Sequence, residues 1–358
     1  MARRSINSSN VALLAGSSPA TGAHPSSSIN SIFGTTELSY ETTTSKDYVF
    51  INGIRNAVAY DSIEPASATM DFTYYVADLS NERRLGFVTN GVTGAFANIL
   101  NGTADERNYF WMIAPDGTDA IGANPTTTPC LAFGNGTINS WNFSAAIGDY
   151  PSSSVNVSFI DFAYYTDSDT EQIPAIDVNT GLQASGTFTL PTPSGSAAGR
   201  DYILKPNDIQ INLAGLTGMI YDFNAACVQS VDISVDLSRT DVRCLGSKYR
   251  KDPIASDNIP VTLSFDMLAK DMITGRLSNF ECGTGKYSAT VTLRRPVCFG
   301  TGSVAASYNL RGLYYDSHNH NVSANGDGTP STVSFTFQGT LGGINNFTDG
   351  IFMSGIAN

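Results

Sequence analysis

The stretch QSVDISVDLSRTDVRCLGSKYRKDPIASDNIPVTLSFDMLAKD, Gln229–Asp271, carries the clearest structural signal of the sequence. Apolar and polar residues alternate in VDISVDL, Val231–Leu237, and again in VTLSFDM, Val261–Met267. Successive side chains of a β-strand project to opposite faces, so a period of two predicts two strands that each have one apolar face. The polar residues between them, Ser238–Arg250, are then a long hairpin. This stretch is typical of an antiparallel sheet with one buried face.

The composition of the 358-residue chain also favours strands. Hydrophobic residues make up 41% and charged residues only 15%, with 33 Gly, 16 Tyr and 19 Phe. Aromatic residues suit strands and glycine suits turns, whereas helical bundles need charge-rich periodic segments that this sequence lacks. We therefore predict an all-β fold of two tandem β-sandwich or barrel domains, each with a short helix and a long hairpin. The helices are expected near residues 91–100 and 267–277.

The pattern of Gln229–Asp271 occurs twice in the chain. A constant shift of 193 residues aligns the region around Gly53, within ELSYETTTSKDYVFINGIRNAV, with the region around Gly246, within VDISVDLSRTDVRCLGSKYRKD, so that Leu38 pairs with Val231 and Gly53 with Gly246. A further slip of two residues superposes Pro65 on Pro260 and Asp71 on Asp266. Two more pairs of blocks follow in the same order: FGNGTINSWNF (Phe133–Phe143) with FGTGSVAASYNL (Phe299–Leu310), and PSSSVNVSF (Pro151–Phe159) with PSTVSFTF (Pro330–Phe337). This repetition predicts an internal duplication, and the glycines of the FG-x-G strings predict turns.

The repeated blocks and the polar stretches around them give a domain map. Each repeat becomes one β domain, and the Ser/Pro/Gly-rich stretches become connections. The predicted parts are an N-terminal arm at residues 1–29, a first domain at 30–165, a connector with some strands at 166–225, a second domain at 226–340 and a C-terminal tail at 341–358.

The charge of the chain excludes a conventional nucleic-acid binder. The formal net charge is −12, and residues 1–180 hold 18 acidic but only 7 basic side chains. Affinity for phosphate comes from Lys and Arg, so this chain could face DNA without holding it. The five cysteines include no CxxC pair, which favours reduced thiols, and no apolar stretch has the length of a signal-peptide core or a membrane span.

Residues that could carry chemistry are few. His318 and His320 in SHNHN could ligate a metal, but the turn-forming residues that follow favour an exposed hairpin tip. The acidic run Asp167–Glu171 lacks the glycine and distal glutamate of a calcium loop. Motifs of nucleophilic, phosphate-binding or zinc-dependent catalysis are absent from the sequence. We expect no enzyme, no catalytic residue, no cofactor and no metal.

Gln229–Asp271 resembles a stretch of the tail tube (major tail) proteins of long-tailed, siphovirus-type bacteriophages. The matching positions are the strand Ser230–Leu237, the tripeptide Leu245-Gly246-Ser247, the basic run Lys248–Lys251 and the strand Ile259–Phe265. The first repeat resembles the tail tube proteins only by its similarity to the second repeat. At the position of Leu-Gly-Ser it has Ile51-Asn52-Gly53 instead.

The resemblance implies a virion protein, made in the host cytoplasm, that stacks in rings to form a hollow conduit for DNA ejection. A duplicated member would form trimeric, pseudo-hexameric rings. Its partners would be copies of itself, the tape measure, distal tail and terminator proteins, and viral DNA that passes without specific binding, with no membrane. Hairpins would make the contacts between subunits or rings. In this chain the predicted contact residues on the hairpins are Ser45, Lys46, Arg55, Ser238, Arg239, Lys248 and Arg250.

Other functions remain open at the level of sequence. A distal tail, tail-terminator or capsid-decorating protein would have a similar composition. A secreted adhesin or carbohydrate-binding protein could use the three Tyr-Tyr pairs and Trp141 to stack sugars. An enzyme is the least favoured alternative, because Asp71 and Asp266 are the clearest carboxylates that both repeats share.

Overall fold

The computed structural model describes residues 10–16, 20–44, 46–61, 67–101, 105–166, 171–194, 203–206, 209–212, 227–237, 239–245, 249–250, 252–255, 258–268, 286–295, 302–321, 332–342 and 348–355. Strands dominate these residues, which confirms the predicted all-β class. Two short α-helices, α1 (Ser80–Arg84) and α2 (Ala97–Leu100), and two 3₁₀ turns, Ser26–Ser28 and Pro125–Thr127, accompany the strands.

The strands of the first half form two groups and a separate hairpin. They are β1 (Val11–Gly16), β2 (Ile29–Ser31), β3 (Thr35–Thr43), β4 (Asp47–Val49), β5 (Ala59–Asp61), β6 (Ser67–Tyr75), β7 (Arg107–Ile113), β8 (Cys130–Ala146), β9 (Ser152–Phe159) and β10 (Asp161–Tyr165). The separate hairpin consists of β4 and β5. The long strand β8 belongs to both groups. Its C-terminal half continues a sheet of order β3-β6-β9-β8, and its N-terminal half lies between β7 and β10. We call these strands the first unit.

Four short strands follow in the region expected to be a connector. They form two small pairs, β11 (Glu171–Gln172) with β14 (Thr187–Phe188) and β12 (Ile176–Asp177) with β13 (Leu182–Gln183). Phe188 packs against Phe110 of β7, with ring centroids 4.6 Å apart, so this region forms a small second core on the first unit.

The second half repeats the topology of the first. Its strands are β15 (Ile209–Asn212), β16 (Val228–Asp236), β17 (Arg239–Val242), β18 (Asp252–Ala255), β19 (Pro260–Leu268), β20 (Tyr287–Arg294), β21 (Val304–Asn321), β22 (Thr332–Thr340) and β23 (Gly350–Gly355). One sheet has the order β16-β19-β22-β21, and the N-terminal half of β21 lies between β20 and β23, with β15 beside β20. We call these strands the second unit.

The strand registers of the two units also agree. Leu38 faces Phe72, and the residues 193 positions later, Val231 and Phe265, face each other in the same way. The register shift near Thr35 in β3 has its counterpart near Val228 in β16. The hairpin β4–β5 corresponds to β17–β18 at the same spacing. One shift therefore covers the whole range from β3 to β6.

The register corrects two details of the sequence alignment. The slip of two residues is wrong, because Asp71 takes the position of Ser264, whereas Asp266 takes that of Thr73. The pairing of Phe133–Phe143 with Phe299–Leu310 is also out of register. Val155 of β9 and Phe335 of β22 are equivalent, because they pair with the equivalent residues Phe72 and Phe265. On their other side, Val155 pairs with Trp141 and Phe335 pairs with His318. Trp141 is therefore equivalent to His318 and not to Tyr308.

The FGNG string is part of strand β8 and is not a turn, which corrects that expectation. Asn135 has a φ of 51°, and the strand changes its register against β7 near this point. A side-chain carbon at Gly134 would lie 2.5 Å from the carbonyl oxygen of Pro174, and one at Gly136 would lie 2.5 Å from the Phe159 ring. Glycine is required here by close approach of neighbouring groups.

Three further expectations differ from the structure. In the first unit only Ala97–Leu100 of the expected helix is helical, and Met267 and Leu268 end strand β19. The rest of the second expected helix, residues 269–277, lies outside the described residues. Strand β1 lies within the expected arm and β23 within the expected tail, and both pair with other strands.

The two units are joined by direct strand pairing. Residues Ser140–Ala146 of β8 pair antiparallel with Ser230–Asp236 of β16, and we call this pairing the joint. It merges the two four-stranded sheets into one sheet of order β3-β6-β9-β8-β16-β19-β22-β21. Behind the joint, Trp141 and Phe143 of the first unit pack on Tyr308 of the second, with ring centroids 5.7 and 4.7 Å apart. Both units thus share one apolar core.

Candidate assembly site

The eight-stranded sheet ends in two edges that correspond to the two sides of the joint. Strand β3 is the counterpart of β16, and residues 314–321 of β21 are the counterpart of the end of β8. Within the described residues, β3 pairs only with β6, and residues 314–321 pair only with β22. We call β3 and residues 314–321 the outer edges. The outer strand of a sheet can pair with a strand of another chain through its backbone donors and acceptors.

One face of this sheet is polar from edge to edge. The strands alternate, so their apolar side chains enter the core and the intervening polar side chains face outward. The outward residues carry hydroxyls, amides and carboxylates: Glu37, Ser39, Glu41, Thr69, Asp71, Thr73, Asn142, Ser144, Ser154, Asn156, Ser158, Asp232, Ser234, Asp236, Thr262, Ser264, Asp266, Ser334 and Thr336. The sequence has no Lys or Arg in these stretches. We call this surface the polar face.

Hydrogen bonds between strands hold the carboxylates of the polar face in place. The Asn156 side-chain amide donates to Asp71 at 2.7 Å, and the Ser230 hydroxyl donates to Asp266 at 2.7 Å. Neither aspartate has a titratable partner placed for acid–base chemistry among these contacts. Asp71 and Asp266 therefore belong to a fixed, negatively charged surface.

The second hairpin, Arg239–Ala255, lies on the first unit. The nearly buried Arg239 forms an ion pair with Asp105, and the Arg250 guanidinium donates to the Thr137 hydroxyl at 2.9 Å and to Asp241 at 3.2 Å. Burial, with the nearby Arg250 charge, lowers the pKa of Arg239 to about 10. Arg239 and Arg250, both predicted as contact residues, thus connect the second unit to the first within one chain.

The first hairpin, Asp47–Asp61, is exposed and apolar. Its side chains with about half or more of their surface exposed include Tyr48, Val49, Phe50, Ile51, Ile54 and Val58. Arg55 on this hairpin and Lys46 just before it, both predicted as contact residues, are also exposed. Ser45, Ser238 and Lys248 lie outside the described residues. Exposed apolar clusters of this kind commonly mark interaction surfaces.

One histidine is buried, and the other two do not lie at the expected hairpin tip. His24 is buried, with its Nε2 2.9 Å from the Asn108 amide nitrogen, and burial lowers its pKa. His318 and His320 lie in β21, on an outer edge, so the expected hairpin tip is wrong for them. His318 stacks on Phe335 with ring centroids 5.7 Å apart. In the described part of the chain, His, Cys, Asp and Glu form no cluster that could hold a metal.

Sequence reasoning missed one buried acid. Glu82 of α1 accepts hydrogen bonds from the Tyr74 hydroxyl at 3.1 Å and from the Tyr308 hydroxyl at 3.5 Å. Burial raises the pKa of Glu82 to about 7. The surrounding sequence, SNERR, is typical of a solvated surface, and only the packing of the second unit against the first encloses this side chain.

No known protein-family model matches the chain, and no curated protein matches it. Among solved structures, the SPP1 tail tube, determined by solid-state NMR and cryo-electron microscopy, is similar to part of it. That match has a TM-score of 0.32 and 10% sequence identity, and it covers 46% of this chain and 80% of the tail tube chain. Within the described residues, no helix is both long and apolar enough to cross a membrane.

Proposed function

We propose that the chain is a structural subunit of a bacteriophage tail tube that assembles side by side into rings. The joint is the observation that carries this proposal. Two similar units pair there through β8 and β16, while the equivalent strands at the ends of the sheet, β21 and β3, lack that partner among the described residues. A second copy can supply the missing strand in the same geometry as the joint.

Pairing of this kind is head to tail, so it propagates from copy to copy. Such an interface closes into a ring when the rotation between copies fits a whole number of them, and otherwise it forms a helix. In our proposal three copies close the ring, which then holds six similar units with pseudo-sixfold symmetry. The fixed connection between the two units raises their effective concentration for each other and lowers the number of chains to be assembled.

The polar face suits the lining of a conduit for DNA. Its carboxylates include Asp71, Asp232 and Asp266, and none of its outward side chains named above is a Lys or Arg. DNA binds proteins mainly through Lys and Arg contacts to its phosphates, so a lining of this composition repels the DNA backbone. In our proposal the protein is part of the virion, is made in the host cytoplasm, and meets the tape measure, distal tail and terminator proteins in the tail.

The hairpins supply further contacts in this proposal. The second hairpin lies on the first unit of its own chain, through Arg239 and Arg250. By the repeat, the first hairpin, with Lys46 and Arg55, lies on the second unit of a neighbouring copy. Its exposed apolar side chains would be covered there, which is the usual driving force of protein association.

The purified protein tests the proposal by analytical ultracentrifugation and negative-stain electron microscopy. We expect rings or tubes with threefold or sixfold end views. Thr42→Lys places a charge on the core side of the outer edge β3, and we expect a folded monomer because that charge cannot be buried in a joint. Ser39→Lys places the same side chain on the polar face and serves as the control that still assembles. A wild-type protein that stays monomeric at all concentrations would contradict the proposal.

A further inference from the structure

Strand β10 of the first unit is equivalent to strand β23 of the second. Each pairs antiparallel with the N-terminal half of the long strand of its unit, β10 with β8 and β23 with β21. The shift that places Trp141 of β8 on His318 of β21 also places Phe133 on Leu310. On their other side, Phe133 pairs with β7 and Leu310 pairs with the equivalent strand β20. The N-terminal halves of the two long strands therefore align residue by residue.

This alignment shows which residues of β10 and β23 correspond. The two aligned positions pair with Phe162 in β10 and with Ile351 in β23. Tyr164 and Met353 follow at the same spacing in their strands and correspond in the same way. Ile351 and Met353 are fully buried, whereas the exposed fraction of the side chain is 42% for Phe162 and 58% for Tyr164. The same positions are thus buried in the second unit and exposed in the first.

The first unit covers β23 within the chain. The Gly91 N–H donates to the Met353 carbonyl oxygen at 2.8 Å, and the Ala95 N–H donates to the Ile351 carbonyl oxygen at 2.9 Å. These hydrogen bonds place residues 90–95 of the first unit along the side of β23 that faces away from β21. The burial of Ile351 and Met353 is therefore part of the contact between the two units, in addition to the joint.

Tyr40 of β3 extends the exposed residues of β10 into one surface. Its ring centroid lies 6.3 Å from that of Phe162 and 5.6 Å from that of Phe133, and 42% of Tyr40 is exposed. The residue at the same position of the second unit, Ile233, is fully buried in the joint. We call Tyr40, Phe162 and Tyr164 the aromatic patch. All three positions are buried where the second unit meets the first.

We infer that the aromatic patch is a second contact between copies, through which the first unit of one copy packs against the second unit of its neighbour. The inference rests on the proposed function, because the neighbouring copy takes the place that the first unit has beside the second within one chain. The partner is a second copy of this chain. Tyr40 belongs to the outer edge β3, so a copy that pairs with β3 also reaches the patch.

The chemistry of the patch suits an interface that excludes water. Aromatic side chains supply much of the apolar area of protein interfaces, and Tyr is enriched among the residues that dominate the binding energy. The patch includes no Lys, Arg, Asp or Glu, so enclosing it removes no ion from water. In a single copy the three side chains remain in contact with water, and their burial between copies favours association.

Hydroxyl-radical footprinting of the full chain tests the inference directly. It compares the assembled wild type with the Thr42→Lys variant, which is expected to remain a monomer. Oxidation of Phe162 and Tyr164 should fall by about threefold or more on assembly, because the core of an interface excludes water. Equal oxidation in the two proteins would show that the patch stays exposed in the assembly and fits a partner other than a second copy. That result would overturn the inference and leave the proposed function standing, whereas a wild type that does not assemble would overturn both.

Substitutions in β10 test the energetic contribution of the patch. Phe162→Ser with Tyr164→Ser should weaken association by about tenfold or more in sedimentation equilibrium, with unchanged far-ultraviolet circular dichroism. Tyr164→Ser alone changes the more exposed residue and should give a smaller loss, so it serves if the double variant does not fold. Tyr164→Phe keeps the ring, and Leu182→Ser changes a side chain that is 69% exposed outside the patch, so both should associate like the wild type. Association of the serine variants of β10 as tight as that of the wild type would overturn the inference.

Discussion

At the scale of single residues, Glu82 is the group whose surroundings differ most from water. It is fully buried between the two units, and this burial raises its pKa even though the hydroxyls of Tyr74 and Tyr308 donate to its carboxylate and so favour the charged form. Asp78, also buried and acidic, contributes to raising the pKa of Glu82 by its charge. The pair of units therefore encloses one proton site in its shared core.

This site makes the folded chain more stable in mild acid. The folded pKa of about 7 exceeds the ordinary value of 4.5, so the folded state holds the proton more tightly than the unfolded state. The contribution is present in full below pH 4.5 and is lost as the pH rises to about 7, with a total change of about 3 kcal/mol in the free energy of unfolding.

Glu82→Gln should remove this pH dependence, because glutamine keeps the shape and has no proton to lose. Urea unfolding between pH 4.5 and 8 measures it, with Glu37→Gln on the exposed edge as the control that retains the wild-type profile. A flat wild-type profile would contradict the assignment.

At the scale of elements, the sequence predicted the strands and hairpins well where one face is buried. Val231–Leu237 and Val261–Met267 are strands because their alternation is strict, and a sheet with one buried face requires it. The FGNG string misled because glycine serves both turns and close packing, and most of the second string, Phe299–Thr301, lies outside the described residues. In β8 neighbouring groups, such as the Phe159 ring, leave no room for a side chain at Gly136, and that neighbourhood is created by the tertiary fold.

At the scale of elements, we predict that the first hairpin contributes to association between copies. Phe50→Ser with Ile54→Ser removes two exposed apolar side chains that contact other copies in our proposal, so association should weaken by about tenfold or more while the monomer stays folded. Sedimentation equilibrium measures the association, and thermal unfolding measures the fold. The matched control is Val92→Ser, which removes an exposed apolar side chain outside the hairpin. Equal association of the hairpin variant and the wild type would place the contact elsewhere.

At the scale of the whole molecule, the sequence predicted a repeat but not the joint. The shift of 193 residues from β3 to β6 is visible because no insertion interrupts it. Which edge of the first sheet meets the second depends on contacts between residues far apart, such as Trp141 with Val235. The same limit applies to the polar face, since its carboxylates come from separate strands and only the merged sheet brings them onto one surface.

The charge of that surface gives the last prediction. Asp71→Lys, Asp232→Lys and Asp266→Lys together exchange three carboxylates of the polar face for ammonium groups and change the net charge of each copy from −12 to −6. Because Lys binds DNA phosphates and releases counter-ions, assembled variant particles should retain duplex DNA at low salt and release it as salt rises. The triple Asp→Asn variant removes charge without adding any, so it should behave like the wild type and retain none. Co-sedimentation of labelled DNA with the particles measures retention. Salt-sensitive retention by wild-type particles would mean that the polar face does not repel DNA, and the conduit would then need a different lining.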